Sequence, residues 1–431
     1  MSENAEDLNT PAPVTGPWRR TAAGAGLLGA DGRVAPTIFT EMTALATSTG
    51  ALNLGQGFPD DPGPHEVLDA AREAIAAGRN QYPPLPGIPS LRTAIAAHQA
   101  RFYGLNVDPD TEIQVTMGAT EAMAASLLAL VEPGQEVVTI DPFYDAYAAV
   151  IALAGGVQVP APLDLTHDAD GHPTGFSLDV AALREAVSDN TRAIIVNTPH
   201  NPTGTMLGRA DLEQILAVAK EHGAYVITDE VYEHLTFAGP HIPMATLPGA
   251  RGTVVSISSA GKTFSVTGWK IGWITAAPEL ITAIQAVKQF LTFAGGGPFQ
   301  VGVAAGLGLG GEVFDAVRSS LQDRRDLLVS GLRSAGFDVI VPDAGYFTVA
   351  DAAPLGFEDG AQLCREMPER IGVAAVPVSA FTSAAGPNAA RMRSLVRFAH
   401  CKSADSIGHA VDPHQNKHRP TPQNRQIKTN Y

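Results

Sequence analysis

Ser256-Ile-Ser-Ser-Ala-Gly-Lys262-Thr-Phe-Ser-Val-Thr-Gly-Trp-Lys270 is the stretch around which this 431-residue chain is organised. The largely apolar residues 253–257 predict a short buried strand, and small residues then lead to Lys262. A lysine placed directly after a buried strand can be held in a dry site, where desolvation lowers its pKa. The amine of such a lysine is nucleophilic near neutral pH.

Two chemical properties of this stretch fit a phosphorylated aldehyde cofactor. Lys262 can form an imine with an aldehyde, and pyridoxal 5'-phosphate (PLP) is the obvious candidate. Lys270 and the hydroxyls of Ser258, Ser259 and Ser265 suit a phosphate group. A surface loop with two ordinary lysines explains the same residues equally well, so the interpretation needs support from elsewhere in the chain.

The stretch resembles the cofactor-lysine segment of the class I/II PLP-dependent aminotransferases, which have fold type I. Further segments match the same family in the same order: Asn53-Leu-Gly-Gln-Gly-Phe-Pro-Asp60, Asn80-Gln-Tyr-Pro-Pro84, Gly118-Ala-Thr-Glu121, Asn197-Thr-Pro-His-Asn-Pro-Thr-Gly204, Thr228-Asp-Glu-Val-Tyr232 and Val396-Arg-Phe398. These collinear matches are far more specific together than any one of them alone. The chain is similar to the branch that contains kynurenine/glutamine transaminases and actinobacterial N-succinyl-diaminopimelate aminotransferases.

Composition favours a cytoplasmic enzyme. Hydrophobic residues make up 45% of the chain, which favours a packed globular core. The net charge of −15 argues against nucleic acid or an anionic membrane as a partner. No apolar run approaches the ~20 residues of a membrane span, and the acidic N-terminus lacks a secretion signal. Cys364 and Cys401 give no disulfide framework, the histidines at 167 and 172 are interpreted as solvated, and we expect no metal site.

Alternating strand and helix patterns predict an α/β domain with a mostly parallel sheet. The resemblance implies fold type I, in which a large domain with a mostly parallel seven-stranded sheet is joined to a smaller α+β C-terminal domain. The expected segments are a flexible arm (1–35), a segment packing on the small domain (36–60), the large PLP-binding domain (61–295), an interdomain helix (296–335), the small domain (336–402) and a disordered tail (403–431). The tail is polar and proline-bearing where the family has a long amphipathic helix.

Candidate ligand-binding side chains follow several predicted strands. Thr120, Tyr144, Asn201, Asp229 and Lys262 each come just after such a strand. Because ligand groups gather at the carboxyl ends of parallel strands, these side chains are expected to meet in one crevice. This expectation does not depend on the resemblance.

The resemblance assigns roles in cofactor binding and catalysis. Gly118, Ala119 and Thr120 lie between a strand and a helix, where free N–H groups favour an anion, and the family places the PLP phosphate there. The other implied roles are phosphate binding by Ser259 and Lys270, ring stacking by Tyr144, contact with the 3'-oxygen by Asn201 and Tyr232, pairing with the ring nitrogen by Asp229, and imine formation by Lys262. Taken without the family, the turn, the tyrosines and the asparagines are explained by packing and capping, and Tyr147 fits core packing better than a role at the ring.

Three residues are assigned to the substrate by the same resemblance. Gly57 lies in a loop beside the substrate carboxylate, and Asn197 helps to hold that group. Arg397 binds it, since a guanidinium matches a carboxylate bidentately. The alternatives for the arginine on the same segment are Arg391 and Arg393.

Tyr82 resembles the tyrosine that reaches across a dimer interface to the cofactor phosphate of the neighbouring site. The resemblance therefore implies a homodimer. Without the family, Tyr82 is a packing tyrosine.

These features predict an aminotransferase that moves an amino group between an amino acid and a 2-oxo acid by ping-pong chemistry. N-succinyl-diaminopimelate aminotransferases of lysine biosynthesis are the preferred match, and kynurenine-, glutamine- or methionine-type aminotransferases and cysteine-conjugate β-lyases are alternatives. A nicotinamide oxidoreductase is disfavoured because no strand precedes the glycines at 306, 308 and 311. A non-catalytic regulator would need a DNA-binding module, for which the first 35 residues are too short and too acidic.

Overall fold

A computed structural model describes residues 14–384 and 386–412 of the chain. Within these ranges the helices are α1 (Trp18–Gly24), α2 (Ile38–Thr49), α3 (His65–Ala76), α4 (Pro89–Tyr103), α5 (Gly118–Leu130), α6 (Ala146–Ala154), α7 (Val180–Ala186), α8 (Arg209–Glu221), α9 (Ala260–Thr263), α10 (Pro278–Lys288), α11 (Gly297–Leu307), α12 (Gly311–Ser334), α13 (Gly360–Arg370), α14 (Asn388–Arg391) and α15 (Ala404–Val411). The strands are β1 (Leu52–Asn53), β2 (Ile113–Met117), β3 (Glu136–Asp141), β4 (Val157–His167), β5 (Pro173–Leu178), β6 (Thr191–Asn197), β7 (Tyr225–Asp229), β8 (Val254–Ser259), β9 (Ile271–Thr275), β10 (Asp338–Ile340), β11 (Phe347–Asp351), β12 (Val373–Ala374), β13 (Val376–Pro377) and β14 (Leu395–Ala399). None of these described helices combines the length and the apolar character needed to cross a lipid bilayer.

The large sheet has the strand order β2-β9-β8-β7-β6-β3-β4-β5. Its central strands from β8 to β4 are parallel, and β2, β9 and β5 join them in antiparallel pairs. The predicted mostly parallel sheet is therefore confirmed. The predicted number of seven strands was wrong, because β4 runs past the end of β3 and turns back as β5, which adds an eighth strand.

Both faces of the large sheet are covered by helices, and the strand sequences show why. In β6, Ala193 and Ile195 pack into the core on one face with α5, α6 and α10, while Ile194 and Val196 pack into the core on the other face with α8. Successive side chains of a strand point to opposite faces, so a strand buried on both sides needs a continuous apolar run. The carboxyl ends of β6, β7 and β8 are consequently held rigidly at one edge of the sheet.

A smaller sheet near the C-terminus has the order β10-β11-β14-β13, and all of its pairs are antiparallel. Residues from α2, α12, α13 and α15 share one apolar core with this sheet. Strand β1 pairs in parallel with β12, which attaches the segment before the large domain to the small one. Helices α11 and α12 occupy the segment predicted as one interdomain helix, and they are separated by a break at residues 308–310.

The predicted flexible arm of residues 1–35 is ordered in part. Residues 1–13 lie outside the described residues, but α1 packs against α6. The Arg20 side chain donates a hydrogen bond to the Ala152 carbonyl oxygen at 2.9 Å, and Leu28 pairs with Val34 in a β-bridge. Flexibility of the arm stays a prediction, and the structure adds a long-range contact that sequence periodicity does not reveal.

The predicted disordered tail of residues 403–431 also begins with an ordered element. Ser403 caps helix α15 by accepting a hydrogen bond from the Ser406 N–H at 3.1 Å, and Ile407 is fully buried in the small-domain core. The prediction was therefore wrong for residues 404–411, where a capped start and one apolar anchor suffice for a short helix. Residues 413–431 lie outside the described residues.

Candidate active site

A cavity of about 380 Å³ lies between the two domains, at the carboxyl ends of β6, β7 and β8. Most of the residues that the sequence assigned to the cofactor or the substrate line it, but Tyr82 and the phosphate candidates Ser258 and Ser265 do not. These lining residues are Gly57, Gly118, Ala119, Thr120, Tyr144, Asn197, Asn201, Asp229, Tyr232, Ser259, Lys262, Lys270 and Arg397. Residues more than 300 positions apart in the chain thus face one cavity.

Lys262 is placed by the short helix α9, which begins directly after β8. Its Nζ donates a hydrogen bond to the Gly57 carbonyl oxygen at 3.0 Å, and its own carbonyl oxygen accepts one from the Tyr346 hydroxyl at 2.7 Å. Burial lowers the pKa of Lys262 to about 8. An amine with this pKa is partly neutral near physiological pH, so it can act as a nucleophile and can accept and return protons.

Asp229 ends β7 and faces the same cavity as Lys262. Its Oδ2 accepts a hydrogen bond from the Tyr147 hydroxyl at 2.6 Å, and its Oδ1 accepts one from the Val231 N–H at 3.4 Å. Burial raises the pKa of Asp229, and these hydrogen bonds act in the opposite direction by stabilising the carboxylate. A cationic ring nitrogen is a fitting partner for a buried carboxylate held in this way.

Tyr147 is the functional contact that sequence reasoning missed. It lies on α6, three residues after Tyr144, and the two rings meet edge to face with centroids 5.7 Å apart. Tyr144 lies just before α6 and Tyr147 lies in its first turn, so two nearby tyrosines supply a ring at the cavity and a hydroxyl that bonds to Asp229. The sequence does not distinguish Tyr147 from a packing residue.

A positively charged recess is built where α5 begins beside β9. Gly118 has φ +75°, and a Cβ added to it would lie 3.3 Å from Cε of Lys270. A Cβ on Gly272 would lie 2.7 Å from the Gly118 carbonyl carbon, so glycine at both positions permits the close approach of strand and helix. The Lys270 side chain is thereby placed at the positive end of the α5 dipole, an arrangement that favours an anion such as phosphate.

Arg397 lies on β14 and is 1% exposed. Its Nη1 donates to Asn201 Oδ1 at 2.7 Å and its Nη2 donates to the Gly55 carbonyl oxygen at 2.9 Å, while its buried Nε has no hydrogen-bond partner among the described residues. The rings of Phe347, Phe381 and Phe39 surround the guanidinium at 3.7, 4.4 and 5.4 Å. Burial lowers the pKa of this arginine to about 10, so the group stays charged at neutral pH. A buried cation bonded to neutral oxygens suits an incoming carboxylate.

The two alternatives to Arg397 lie elsewhere. Arg391 pairs with Asp164 at 3.2 Å and Arg393 pairs with Asp359 at 3.1 Å, and both arginine side chains are mainly exposed. Neither lines the cavity. The geometry therefore favours Arg397 among the three.

The loop after β6 places two asparagines with different surroundings. The Asn197 amide donates to the carbonyl oxygens of Pro199 and Asp229, at 3.1 and 2.8 Å, and its Oδ1 accepts from the Asn201 N–H at 2.7 Å. These bonds hold the loop, and contact of Asn197 with a substrate stays a prediction. Because Asn201 turns its Oδ1 to Arg397, its Nδ2 is left to donate to an acceptor. Burial raises the pKa of the nearby Tyr232 well above its usual range, which keeps this hydroxyl a donor.

Tyr82 does not line the cavity and is 81% exposed. Its ring meets that of Phe293 edge to face, with centroids 5.9 Å apart, and Phe290 is 83% exposed nearby in the chain. The contact of Tyr82 with a neighbouring subunit's cofactor stays a prediction.

Three phenylalanines of the cavity wall carried no chemical signal in the sequence. They are Phe39, Phe58 and Phe347. Each belongs to a different segment, and only the fold shows that their rings enclose the same volume.

This fold and cavity define the aminotransferase class. The chain belongs to the aminotransferase class I and II family, whose model matches residues 49–411. This finding confirms the predicted family, fold type and enzyme class, and the family is PLP-dependent.

Individual relatives give a finer comparison. The chain is 49% identical to a relative from Mycobacterium tuberculosis named probable N-succinyldiaminopimelate aminotransferase, with 88% of this chain and 95% of the relative covered. It is 37% identical to the methionine aminotransferase of Escherichia coli, with 86% and 93% covered. The solved structure of the N-succinyldiaminopimelate aminotransferase from M. tuberculosis superposes with a TM-score of 0.83 at 49% identity, with 88% of this chain and 96% of that chain covered.

Proposed function

We propose that this aminotransferase binds PLP in the cavity between its domains and acts on N-succinyl-diaminopimelate or its 2-oxo counterpart. The residues present fit the cofactor at three separate points. Lys270 and the start of α5 suit its phosphate, Asp229 suits its ring nitrogen, and Lys262 suits its aldehyde carbon. When bound, PLP supplies an electron-accepting ring and carries the amino group between the two substrates.

The residues of the chain would each have a separate role in the reaction. Arg397 binds the substrate carboxylate and so orients the Cα–H bond towards Lys262. The amine of Lys262 would accept the proton from Cα of the substrate and hold it for return. Asp229 would hold a protonated ring nitrogen, and Asn201 and Tyr232 would donate hydrogen bonds to the 3'-oxygen. The phenylalanines at 39, 58 and 347 limit the access of water.

The observation that carries this proposal is that Lys262, with its lowered pKa, and the buried Asp229 face one cavity. Lys262→Ala removes the amine, so we expect loss of the visible absorbance of the covalently held cofactor and of nearly all turnover. Lys220→Ala, which changes an exposed lysine on α8, is the matched control and should leave both unchanged. If Lys262→Ala retained both signals, another lysine would be the anchor.

The substrate assignment rests on the 49% identity to the M. tuberculosis relative over most of both chains. The similarity of about 35–37% to methionine and kynurenine aminotransferases keeps those donors as the second candidate. A half-reaction screen distinguishes them, because each accepted donor converts the aldehyde form of the cofactor into its amine form. The fastest conversion is expected with the succinylated donor, and faster conversion with methionine or kynurenine would reject the assignment. Release of pyruvate and ammonia from a cysteine conjugate would instead reveal β-lyase activity.

We further propose a homodimer in which Tyr82 contributes to the neighbouring site. Support comes from the exposed apolar side chains of Tyr82, Phe290, Leu291 and Phe293, which a monomer would leave in water. Tyr82→Phe should weaken cofactor affinity by about tenfold, since it removes one hydrogen bond to a charged group. Sedimentation of the wild type as a monomer at micromolar concentration would contradict the proposal.

A further inference from the structure

Three side chains capable of binding a metal converge behind the active site. His98 lies on α4, and Glu233 and His234 follow β7 in the turn that also carries Tyr232. Each offers one ligand atom, and these atoms lie within 4.8 Å of one another. His98 and Glu233 are 1% and 4% exposed, whereas His234 is only partly buried. We refer to these three residues as the His–Glu cluster.

The carboxylate of Glu233 has hydroxyls and imidazoles as its neighbours. The Ser258 and Tyr103 hydroxyls donate hydrogen bonds to it, and the two imidazoles of the cluster lie beside it. Glu230, the other buried carboxylate of this turn, already has its own partner in His241 at 3.3 Å. An anion buried without a counter-charge is destabilising by several kcal/mol, so Glu233 is the group that a bound cation would neutralise.

Both histidines of the cluster present a ring nitrogen to the same space as the Glu233 carboxylate. The Nε2 atoms of the two rings face each other at 2.6 Å, and the buried Nδ1 of His98 has no hydrogen-bond partner in the part of the chain that the structure describes. A metal ion bound to both Nε2 atoms would take the place of the hydrogen bond between them. Neutral imidazole is the form that binds Zn²⁺.

The walls of the cluster are aromatic. Phe314 and Phe102 lie 4.5 and 4.7 Å from the His234 ring, measured between centroids. Apolar walls exclude water and strengthen every charge interaction inside them. The Ser258 and Tyr103 hydroxyls fix the carboxylate from behind, as outer hydrogen-bond partners do in metal sites.

We propose that His98, Glu233 and His234 form a binding site for a divalent transition-metal ion, with Zn²⁺ as the best fit. Two imidazoles and one carboxylate are a common ligand set for this ion, and a water molecule completes a tetrahedron. Nitrogen ligands of tetrahedral zinc are about 3.3 Å apart, so binding requires the two rings to separate by roughly 0.7 Å from their hydrogen-bonded position. His234, the less buried of the two histidines, is the ring that would make this movement. A bound ion would link α4 to the turn that follows Asp229 and carries Tyr232.

The test uses untagged holoenzyme depleted of metal by dialysis against a chelator. After incubation with Zn²⁺ and removal of the excess, zinc per chain is measured by plasma mass spectrometry. We expect one zinc ion per chain in the wild type and in His222→Ala, a control histidine that pairs with Asp189 away from the cluster. His98→Gln and Glu233→Gln should retain none. Equal zinc content in wild type and cluster variants, or none in the wild type, overturns the proposal.

A second variant distinguishes loss of metal binding from loss of folding. Tyr103→Phe keeps all three ligands and removes one hydrogen bond to Glu233, so zinc affinity should fall by about 10- to 100-fold while stoichiometry is kept. Co²⁺ provides an independent probe, because a tetrahedral site gives it strong visible absorption. An unchanged affinity in Tyr103→Phe, or a Co²⁺ spectrum that His98→Gln does not alter, would show that the metal binds elsewhere.

Discussion

The two sides of the cavity hold buried charge in different ways. On the large-domain side, Lys262 and Asp229 share the cavity, and burial shifts both pKa values towards the neutral forms. On the small-domain side, Arg397 keeps its charge among three phenylalanine rings and neutral oxygens. The large-domain side can therefore exchange protons, whereas the small-domain side offers a fixed charge. We therefore expect the large domain to carry out the proton transfers and the small domain to orient the substrate.

Of the substitutions that test this comparison, removal of the carboxylate on the large-domain side should lower activity most. Asp229→Asn takes away the charge that holds a proton on the ring nitrogen, and kcat should fall by on the order of 10²–10³-fold. Steady-state kinetics with a saturating amino donor measures this fall. Asp189→Asn, an exposed aspartate, is the control. An unchanged kcat in Asp229→Asn would remove the ring-nitrogen role.

The fixed charge on the small-domain side is tested by Arg397→Gln. Loss of a buried partner for the substrate carboxylate should raise KM by on the order of 10²-fold, with a smaller change in kcat. Arg397→Lys should recover only part of this, because a lysine cannot reproduce the planar fork. Arg391→Gln removes an exposed arginine and should leave KM unchanged. If Arg391→Gln raised KM instead, the carboxylate site would have been misplaced.

Protein stability provides a test of the large-domain side without the cofactor. The pKa of Lys262 is lowered from 10.5 to about 8, so the unfolded chain binds more protons between these values, and stability should rise as pH increases through this window. Below pH 8 the charged amine destabilises the fold by up to roughly 3 kcal/mol. Lys262→Met should be the more stable protein there, and its advantage should vanish towards pH 10.5. Urea unfolding of the two cofactor-free proteins across this pH range tests the prediction. If the free energies of unfolding of wild type and Lys262→Met changed in parallel with pH, the prediction would be contradicted.

Tyr147→Phe should have the smallest effect of the four. The lost hydrogen bond stabilised the ionised form of Asp229, so the pKa of Asp229 should rise and the acidic limb of the kcat profile should move to higher pH. At neutral pH we expect a fall in kcat of about tenfold or less. Tyr225→Phe, a tyrosine that packs against Arg192, serves as the control. A profile that fell in height without moving along the pH axis would indicate a merely structural role.

The large-domain side of the cavity was predictable because its residues follow buried strands. Apolar runs such as residues 193–196 define those strands, and the carboxyl ends of parallel strands meet at one edge. The positions of Thr120, Asn201, Asp229 and Lys262 directly after such runs were therefore enough to identify them as candidates. The family resemblance supplied their individual roles.

Other features depend on contacts between distant segments, which a single sequence does not display. Phe39, Phe347 and Phe381 surround Arg397 from three separate parts of the chain. Tyr147 lies on an apolar helix, where packing explains it equally well, and only the fold brings its hydroxyl to Asp229. Helices α1 and α15 were missed because one is stabilised by contact with a distant segment and the other by a single anchor residue. Strand β5 pairs with the strand directly before it and was absent from the predicted count.

The most direct measurement is a crystal structure of the enzyme loaded with PLP. Continuous electron density should join Lys262 Nζ to the cofactor, the Asp229 carboxylate should lie within hydrogen-bond distance of the ring nitrogen, and the phosphate should lie at the start of α5 beside Lys270. A cofactor bound to a different lysine, or a pyridine ring whose nitrogen points away from Asp229, would contradict the assignment of the large-domain side.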